Sequence, residues 1–285
     1  MSHDIKIISS GLLTTIQDLG RYGYRSHGIP ISGAMDQSSA KLANLLVGND
    51  ENDALLECTM MGPKIEFHCD TYIAVTGAEV DIFLDDILQI LNTTISIKTG
   101  NILNFGKVHR GCRFYISFAS GLNTLNILES RSTDTVSEIG LPILKRGQYL
   151  DLFQNNLGRF IVNLSRLKDT LTPRKIKVYP GPEYHVIEYM DLPKISFTID
   201  PSSNRMSYIL KVNFDVSHSQ EMISSAVLPG TIQLTPGGQF NALMRDAQTT
   251  GGYPRVMQID EDDLDYLAQC RGGQSISFEL VSYSI

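Results

Sequence analysis

Apolar residues along this chain come in short runs that alternate with turn formers, and within the runs they recur at a period of two. Thr71–Thr76, Val80–Leu84, Ile95–Ile97, Arg113–Phe118 and Leu122–Leu128 each read as a strand bounded by Gly, Asp or Asn. Asp85-Asp86 falls between two such runs, where a hairpin turn belongs. The second half repeats the pattern. There Met206, Tyr208, Leu210 and Val212 alternate with their neighbours, as do Ile276, Phe278 and Leu280 with Ser275, Ser277 and Glu279. Together with 23 glycines in 285 residues, this predicts a mainly β protein built as barrels or sandwiches.

Few helices interrupt the pattern. Asp36 is placed to cap a helix running to Val47, with Ala40, Ala43 and Val47 on one face and Gly48 as the stop. Asp260 caps a second, Glu261–Cys270, whose core face is Leu264, Leu267 and Ala268. Asp262, Asp263 and Asp265 crowd its start, where the helix dipole favours anions. A third is predicted to begin at Pro182-Glu183, proline being preset for a first turn. The polar stretch Lys168–Arg174 predicts a boundary between an N-terminal unit, residues 1–170, and a C-terminal unit, residues 171–285. Thr15-Ile16-Gln17 and Thr231-Ile232-Gln233 form a faint echo between the halves, too short to establish a repeat.

Charge narrows the function classes. Lys+Arg 24 against Asp+Glu 31 leaves a net charge of −7, with no basic stripe for a phosphate backbone, so nucleic acid is not an expected partner. No apolar run reaches the ~20 residues that span a bilayer. Met1–Ser10, with Asp4 and Lys6 in an alternating pattern, does not read as a signal peptide. A soluble, cytoplasmic protein is expected. Cys58, Cys69, Cys112 and Cys270 are scattered and read as free thiols. No metal site is expected: His68-Cys69 are strand neighbours that point to opposite faces.

The common signatures of catalysis are missing. Gly100–Lys107 tempts a phosphate-loop reading, but five residues separate its glycines and Val108 stands where a hydroxyl is needed, so it reads as strand and turn. Polar residues in Gly-rich loops remain. Thr15–Gly23, with Gln17, Asp18 and Arg21, continues through His27-Gly28 to Gly33-Ala34-Met35-Asp36. Asn241–Tyr253 packs Arg245, Asp246, Gln248, Thr249 and Thr250 before a Gly-Gly bend. Ser202–Met206 offers an arginine fork, and Ser130–Asp134 is similar. Glycine lets a backbone approach a ligand closely, while Gln, Asp and Arg supply hydrogen bonds for an amide or carboxylate. Each segment also has a plain reading as a loop with local side-chain caps.

These same segments resemble one family. T-x-Q-D-x-G-R-x-G…G-A-M-D at Thr15–Asp36 is similar to the N-terminal signature of the C subunit of 5-oxoprolinase. That family includes KipA and the second half of the urea-carboxylase carboxyltransferase domain. Leu46-Val47-Gly48-Asn49, Glu57-Cys58-Thr59, Thr76-Gly77-Ala78, Ser130–Asp134, Gly181-Pro182-Glu183, Ser203–Met206, Gly230–Gln233 and Asp246–Pro254 follow in family order over almost the whole chain. Two departures stand out: Ser207-Tyr208-Ile209-Leu210 where the family has Gly-Tyr-Arg-Leu, and Glu129 where it has Gly.

The resemblance implies two cyclophilin-like β-barrel units and a biotin-dependent-carboxyltransferase type of protein. It implies a KipI-like partner, the B subunit of 5-oxoprolinase, and a further A subunit, in an assembly that converts 5-oxoproline (pyroglutamate) to L-glutamate with ATP hydrolysis. The chain has no Met-Lys-Met biotinylation triplet and no ATP motif, so biotin is not attached to it and ATP is expected to be used by the complex. Two other functions share the framework: the carboxyltransferase half of a biotin-dependent urea or amide carboxylase, and a KipA-like regulator that antagonises a KipI-type kinase inhibitor.

Residue chemistry, independent of the resemblance, nominates roles for a lactam carboxylate. Arg205 or Arg21 would bind the carboxylate, and Gln17, Asp18, Asp246 and Gln248 would address the amide or its phosphorylated oxygen. Asn204, Thr249, Thr250, Tyr253 and Asp36 complete the expected binding set.

Overall fold

A computed structural model describes residues 4–153, 169–218, 220 and 222–282. Lys168, the first residue of the expected linker, and Met1–His3 lie outside them. The chain is mainly β with two α-helices, in a half-barrel and a nearly closed barrel, as the alternating pattern and the resemblance led us to expect. It divides into two compact units, one of residues 1–21 and 32–171, the other of residues 22–31 and 172–285. The short segment 22–31 thus belongs with the C-terminal residues, an assignment no linear reading made.

In the first unit the strands are β1 (Ile5–Ser9), β2 (Leu13–Gln17), β3 (Leu55–Thr59), β4 (Lys64–Phe67), β5 (Thr71–Leu84), β6 (Ile87–Gln89), β7 (Thr94–Ile97), β8 (Ile102–Phe118) and β9 (Tyr149–Leu150), with helix α1 (Gln37–Leu46) between β2 and β3. The order β2-β3-β8-β4-β1-β9 forms the sheet, and β5 pairs with β6, β7 and β8. The two runs read as separate strands at Thr71–Thr76 and Val80–Leu84 are one long β5. It stays in register with β8 from Ile73↔Phe118 to Leu84↔Leu103 by slipping at irregularities after Gly77. Asp85 and Asp86, at φ +48° and +64°, make the hairpin turn into β6. The run Leu122–Leu128 is not a strand. Leu122 and Ile127 each make one isolated bridge, because Gly121 at φ +76° and Leu128 at +54° bend the chain out of the extended region.

Inward residues of this sheet, among them Ile5, Ile7, Phe67, Ile73, Val75, Phe114, Ile116 and Phe118, form one fully buried core. Asp36 caps α1 by accepting from the Ser39 amide at 2.9 Å. Ala40 and Ala43, with Ala34, then close against Leu55 and Tyr115.

In the second unit the strands are β10 (Ile176–Pro180), β11 (Phe197–Ile199), β12 (Ser207–Lys211), β13 (Ser225–Ala226), β14 (Thr231–Leu234), β15 (Phe240–Leu243), β16 (Thr250–Gly251), β17 (Arg255–Ile259), β18 (Ser275–Ile276) and β19 (Phe278–Leu280), with helix α2 (Glu261–Gln269) after β17. Eight pair in the order β18-β11-β12-β15-β14-β17-β10-β19, and β13 pairs with β16 as a separate ribbon. Phe197 meets Phe240 and Phe278 edge-on, at 5.3 and 4.8 Å between ring centres. Asp260 caps α2 as the sequence predicts, accepting from the Asp262 amide. The helix expected at Pro182-Glu183 is a single 3₁₀ turn, Tyr184–Val186. Glu183 cannot cap it, because its carboxylate is taken by Arg255, from the backbone amide at 2.9 Å and from Nε and Nη2 at 3.0 and 2.9 Å.

Cys58, Cys69, Cys112 and Cys270 are free thiols. Among the described residues no helix is long and apolar enough to cross a membrane.

Candidate functional site

In the first unit, the end of β2 and the Ser130–Asp134 loop, more than a hundred residues apart in sequence, are held together by one carboxylate. Asp18 is buried. Its Oδ1 accepts from the Gly20 amide and the Ser130 hydroxyl, both at 2.8 Å, and from the Ser132 hydroxyl. Its Oδ2 accepts from the Arg131 amide at 2.6 Å. Four donors reach its two oxygens, three of them on Oδ1, so Asp18 ties the loop to the end of β2. Glu129 sits just before this loop at φ +62°, a left-handed conformation that glycine adopts without strain.

Gln17 and Arg21 are buried beside it. Gln17 donates from Nε2 to Thr15 Oγ1 and to the Thr133 carbonyl, both at 3.0 Å, while its Oε1, also buried, finds no partner among the described residues. Arg21 is fully buried and donates to the Ile127 and Ser132 carbonyls at 3.0 and 2.9 Å. Asp36 caps α1, and its Oδ2 accepts from the Ser39 and Thr170 hydroxyls at 2.6 and 2.9 Å. Arg21 and Asp36 therefore organise the Gly-rich loop from within.

The second unit places its expected residues in two groups. Arg205 and Asp246 form a buried fork-to-fork ion pair, 2.9 Å from Nε to Oδ2 and 2.8 Å from Nη2 to Oδ1. The carboxylate that Arg205 holds is Asp246, where a ligand's was expected. Asn204 is exposed and spends its Oδ1 on the Met206 and Ser207 amides, a local turn cap.

The other group surrounds the β13–β16 ribbon. Gln248 Nε2 lies 3.5 Å from Gln233 Oε1, and Gln233 Nε2 donates to the Tyr253 carbonyl at 3.2 Å. Gln248 Oε1 is buried without a partner among the described residues. Thr249 is half-buried, and Thr250 and Tyr253 are exposed. Arg25 donates from Nη2 to the Val227 carbonyl and reaches the Thr249 carbonyl at 3.4 Å. Its Nη1 is buried without a partner among the described residues. Burial pushes its guanidinium below the usual arginine value. On the other side Arg255 Nη1 donates to the Ala226 carbonyl at 3.2 Å, and Arg255 holds Glu183 below the usual carboxylate range.

This is the chemistry expected around a small polar ligand: two guanidinium groups, two amides and two threonines gathered on a short ribbon, with unused hydrogen-bonding capacity on Arg25 and Gln248. Sequence reading found Gln248, Thr249, Thr250 and Tyr253 but not Arg25, Gln233 or Arg255. Arg25 lies between Gly23 and Gly28, inside a loop already singled out, and Gln233 closes the tripeptide echo; those were the available signals. Among the described residues no three His, Cys, Asp or Glu are grouped to hold a metal ion.

The carboxyltransferase domain family, subdomains A and B, matches residues 27–280. The chain belongs to that family. Within it, the chain is 37% identical to the 5-oxoprolinase C subunit of Escherichia coli over 96% of this chain and 90% of that one. It is 33% identical to the 5-oxoprolinase C subunit of Haemophilus influenzae, over 98% and 91%. Among solved structures, this family member superposes on TTHA0988 with a TM-score of 0.87 at 28% identity, covering 97% of this chain and 55% of that one. It superposes on the urea carboxylase of Kluyveromyces lactis with a TM-score of 0.88 at 30% identity, covering all of this chain and 28% of that one. The chain thus spans about half or less of those two structures but nearly all of the two bacterial relatives.

Proposed function

We propose that this carboxyltransferase-family protein is the C-type subunit of a cytoplasmic, ATP-dependent 5-oxoprolinase. With KipI-like B-type and A-type subunits, it would open the lactam of 5-oxoproline to L-glutamate. The observation that carries the reading is the near end-to-end likeness to the E. coli C subunit, which accounts for both units of the chain in one relative of almost equal length.

The chemistry sets what the chain must supply. A lactam is resonance-stabilised, so its oxygen has to be activated and its ring held in place. In this reading Arg25, whose Nη1 has no partner among the described residues, takes the substrate carboxylate, the role expected of Arg21 or Arg205. Gln248 accepts from the lactam N–H, with Thr249, Thr250 and Tyr253 around it. Gly100–Lys107 is a turn running into β8, not a loop that could cradle phosphates, so no step on this chain is routed through ATP there.

The test is glutamate release from 5-oxoproline and ATP by the chain co-purified with its two partners, against the mixture lacking it. Activity that vanishes on omission supports the reading; activity that persists, or never appears from a folded complex, sinks it. A second reading, carboxyl transfer from carboxybiotin to urea or another amide, is favoured by the full-length superposition on the urea carboxylase. Labelled bicarbonate incorporated into urea with a biotin carrier and carboxylase added would select it.

A further inference from the structure

We infer that a cavity beside the Ser130–Asp134 loop binds a small organic ammonium ion with a short apolar body. The cavity, about 440 Å³, is lined by residues that include Asp134, Glu138, Lys145, Ile139, Leu141 and Ile143. Asp134 is 1% exposed. Its Oδ1 accepts from the Val136 and Ser137 amides at 2.9 and 3.1 Å, while Oδ2, equally buried, has no partner among the described residues. A carboxylate oxygen taken from water needs a donor, and the described residues give this one none.

The wall selects the donor's charge and shape. Two acidic residues, Asp134 and Glu138, line the cavity with one basic residue, exposed Lys145, so the balance favours a cation. Ile139, Leu141 and Ile143 favour a hydrocarbon body behind it. The surroundings are held in place. The Asp134 amide donates to the Ile139 carbonyl at 2.8 Å, and Thr133 Oγ1 to the Leu141 carbonyl at 2.6 Å. At Gly140, φ +90°, an added Cβ would lie 2.6 Å from the Ser132 carbonyl oxygen. None of the residues given roles in ring opening lines this cavity, so the site stands apart from that reading.

The experiment is calorimetric titration of the full-length protein with n-butylammonium, and with n-butanol as its neutral isostere. Saturable butylammonium binding is expected, weakened about ten-fold or more in Asp134→Asn, whose remaining oxygen still caps the Val136 and Ser137 amides. Ile143→Trp, at a half-exposed rim position, should fold normally and block the cavity. The inference is overturned if wild type shows no saturable binding, as when a water alone satisfies Oδ2. It is also overturned if butanol binds as well as butylammonium, or if Ile143→Trp binds like wild type. Should Asp134→Asn fail to fold, the butanol comparison and Ile143→Trp decide.

Discussion

Arg205 and Asp246 spend their charges on each other: two parallel bonds of 2.9 and 2.8 Å join side chains that are 3% and 0% exposed. Removing one partner leaves the other as an uncompensated buried charge. Asp246→Ala is therefore expected to cost about 3–5 kcal/mol of stability, read as a lowered urea midpoint at unchanged slope. Lost activity in that variant reports on folding, and only a folded Asp246→Asn speaks to chemistry.

Asp18 makes a parallel case. Its carboxylate receives four donors from the Gly20–Ser132 region, three of them from the Ser130–Ser132 loop. Charge-assisted bonds contribute about 1.5–3 kcal/mol each and are not additive, so Asp18→Ala should destabilise by several kcal/mol and Ser130→Ala by about 1–2 kcal/mol. Equal effects of the two variants in denaturant titration would contradict the anchoring role.

Gly33 and Gly23 separate contact from conformation. Both have positive φ, +87° and +90°. At Gly33 a Cβ would stand 2.8 Å from the Gly20 nitrogen, whereas at Gly23 it would meet nothing within 4 Å. Gly23→Ala should cost about 1–2 kcal/mol, the left-handed penalty alone, and Gly33→Ala clearly more. Thermal melts of the two variants check the order.

Glu183 contributes an acid-sensitive increment. Its hydrogen bonds with Arg255 hold its carboxyl below 4.5, the ordinary value, so the unfolded chain takes up the proton first as pH falls. The stabilisation is present above that ordinary value and is lost as pH drops through the lowered folded one. Glu183→Gln should flatten this part of the stability–pH curve below about pH 4.5 and lower stability at pH 7.

Thiol reactivity should follow burial. Burial, with Asp4 nearby, raises half-buried Cys69 to about 11, and fully buried Cys58 is raised further. At pH 8 iodoacetamide should label Cys69 slowly and Cys58 only after unfolding, as mass spectrometry would show.

Features under local chemical control were legible along the chain. Period-two alternation placed β5, β7, the end of β8, β12, β18 and β19, Asp36 and Asp260 capped the two helices they were expected to cap, and Asp85-Asp86 turned the hairpin. It did not distinguish an extended run from a bent one at Leu122–Leu128, where positive φ at Leu128 and Glu129 decides the outcome. Nor did it show that Glu183, expected to start a helix, is held by Arg255 72 positions along the chain. The candidate site depended most on tertiary structure. Residue type nominated Arg205, Asp246, Asp18 and Asp36 as well as Gln17 and Gln248, since the same side chain serves a ligand or its own fold. Only the partners brought in from distant strands separate them. Both carboxylate oxygens of Asp18 and of Asp246 are engaged from within, whereas Arg25, Gln17 and Gln248 each keep a buried polar atom without a partner among the described residues. Hydrogen-bond saturation belongs to pairs far apart in sequence, and so it is written in the fold rather than in the local pattern.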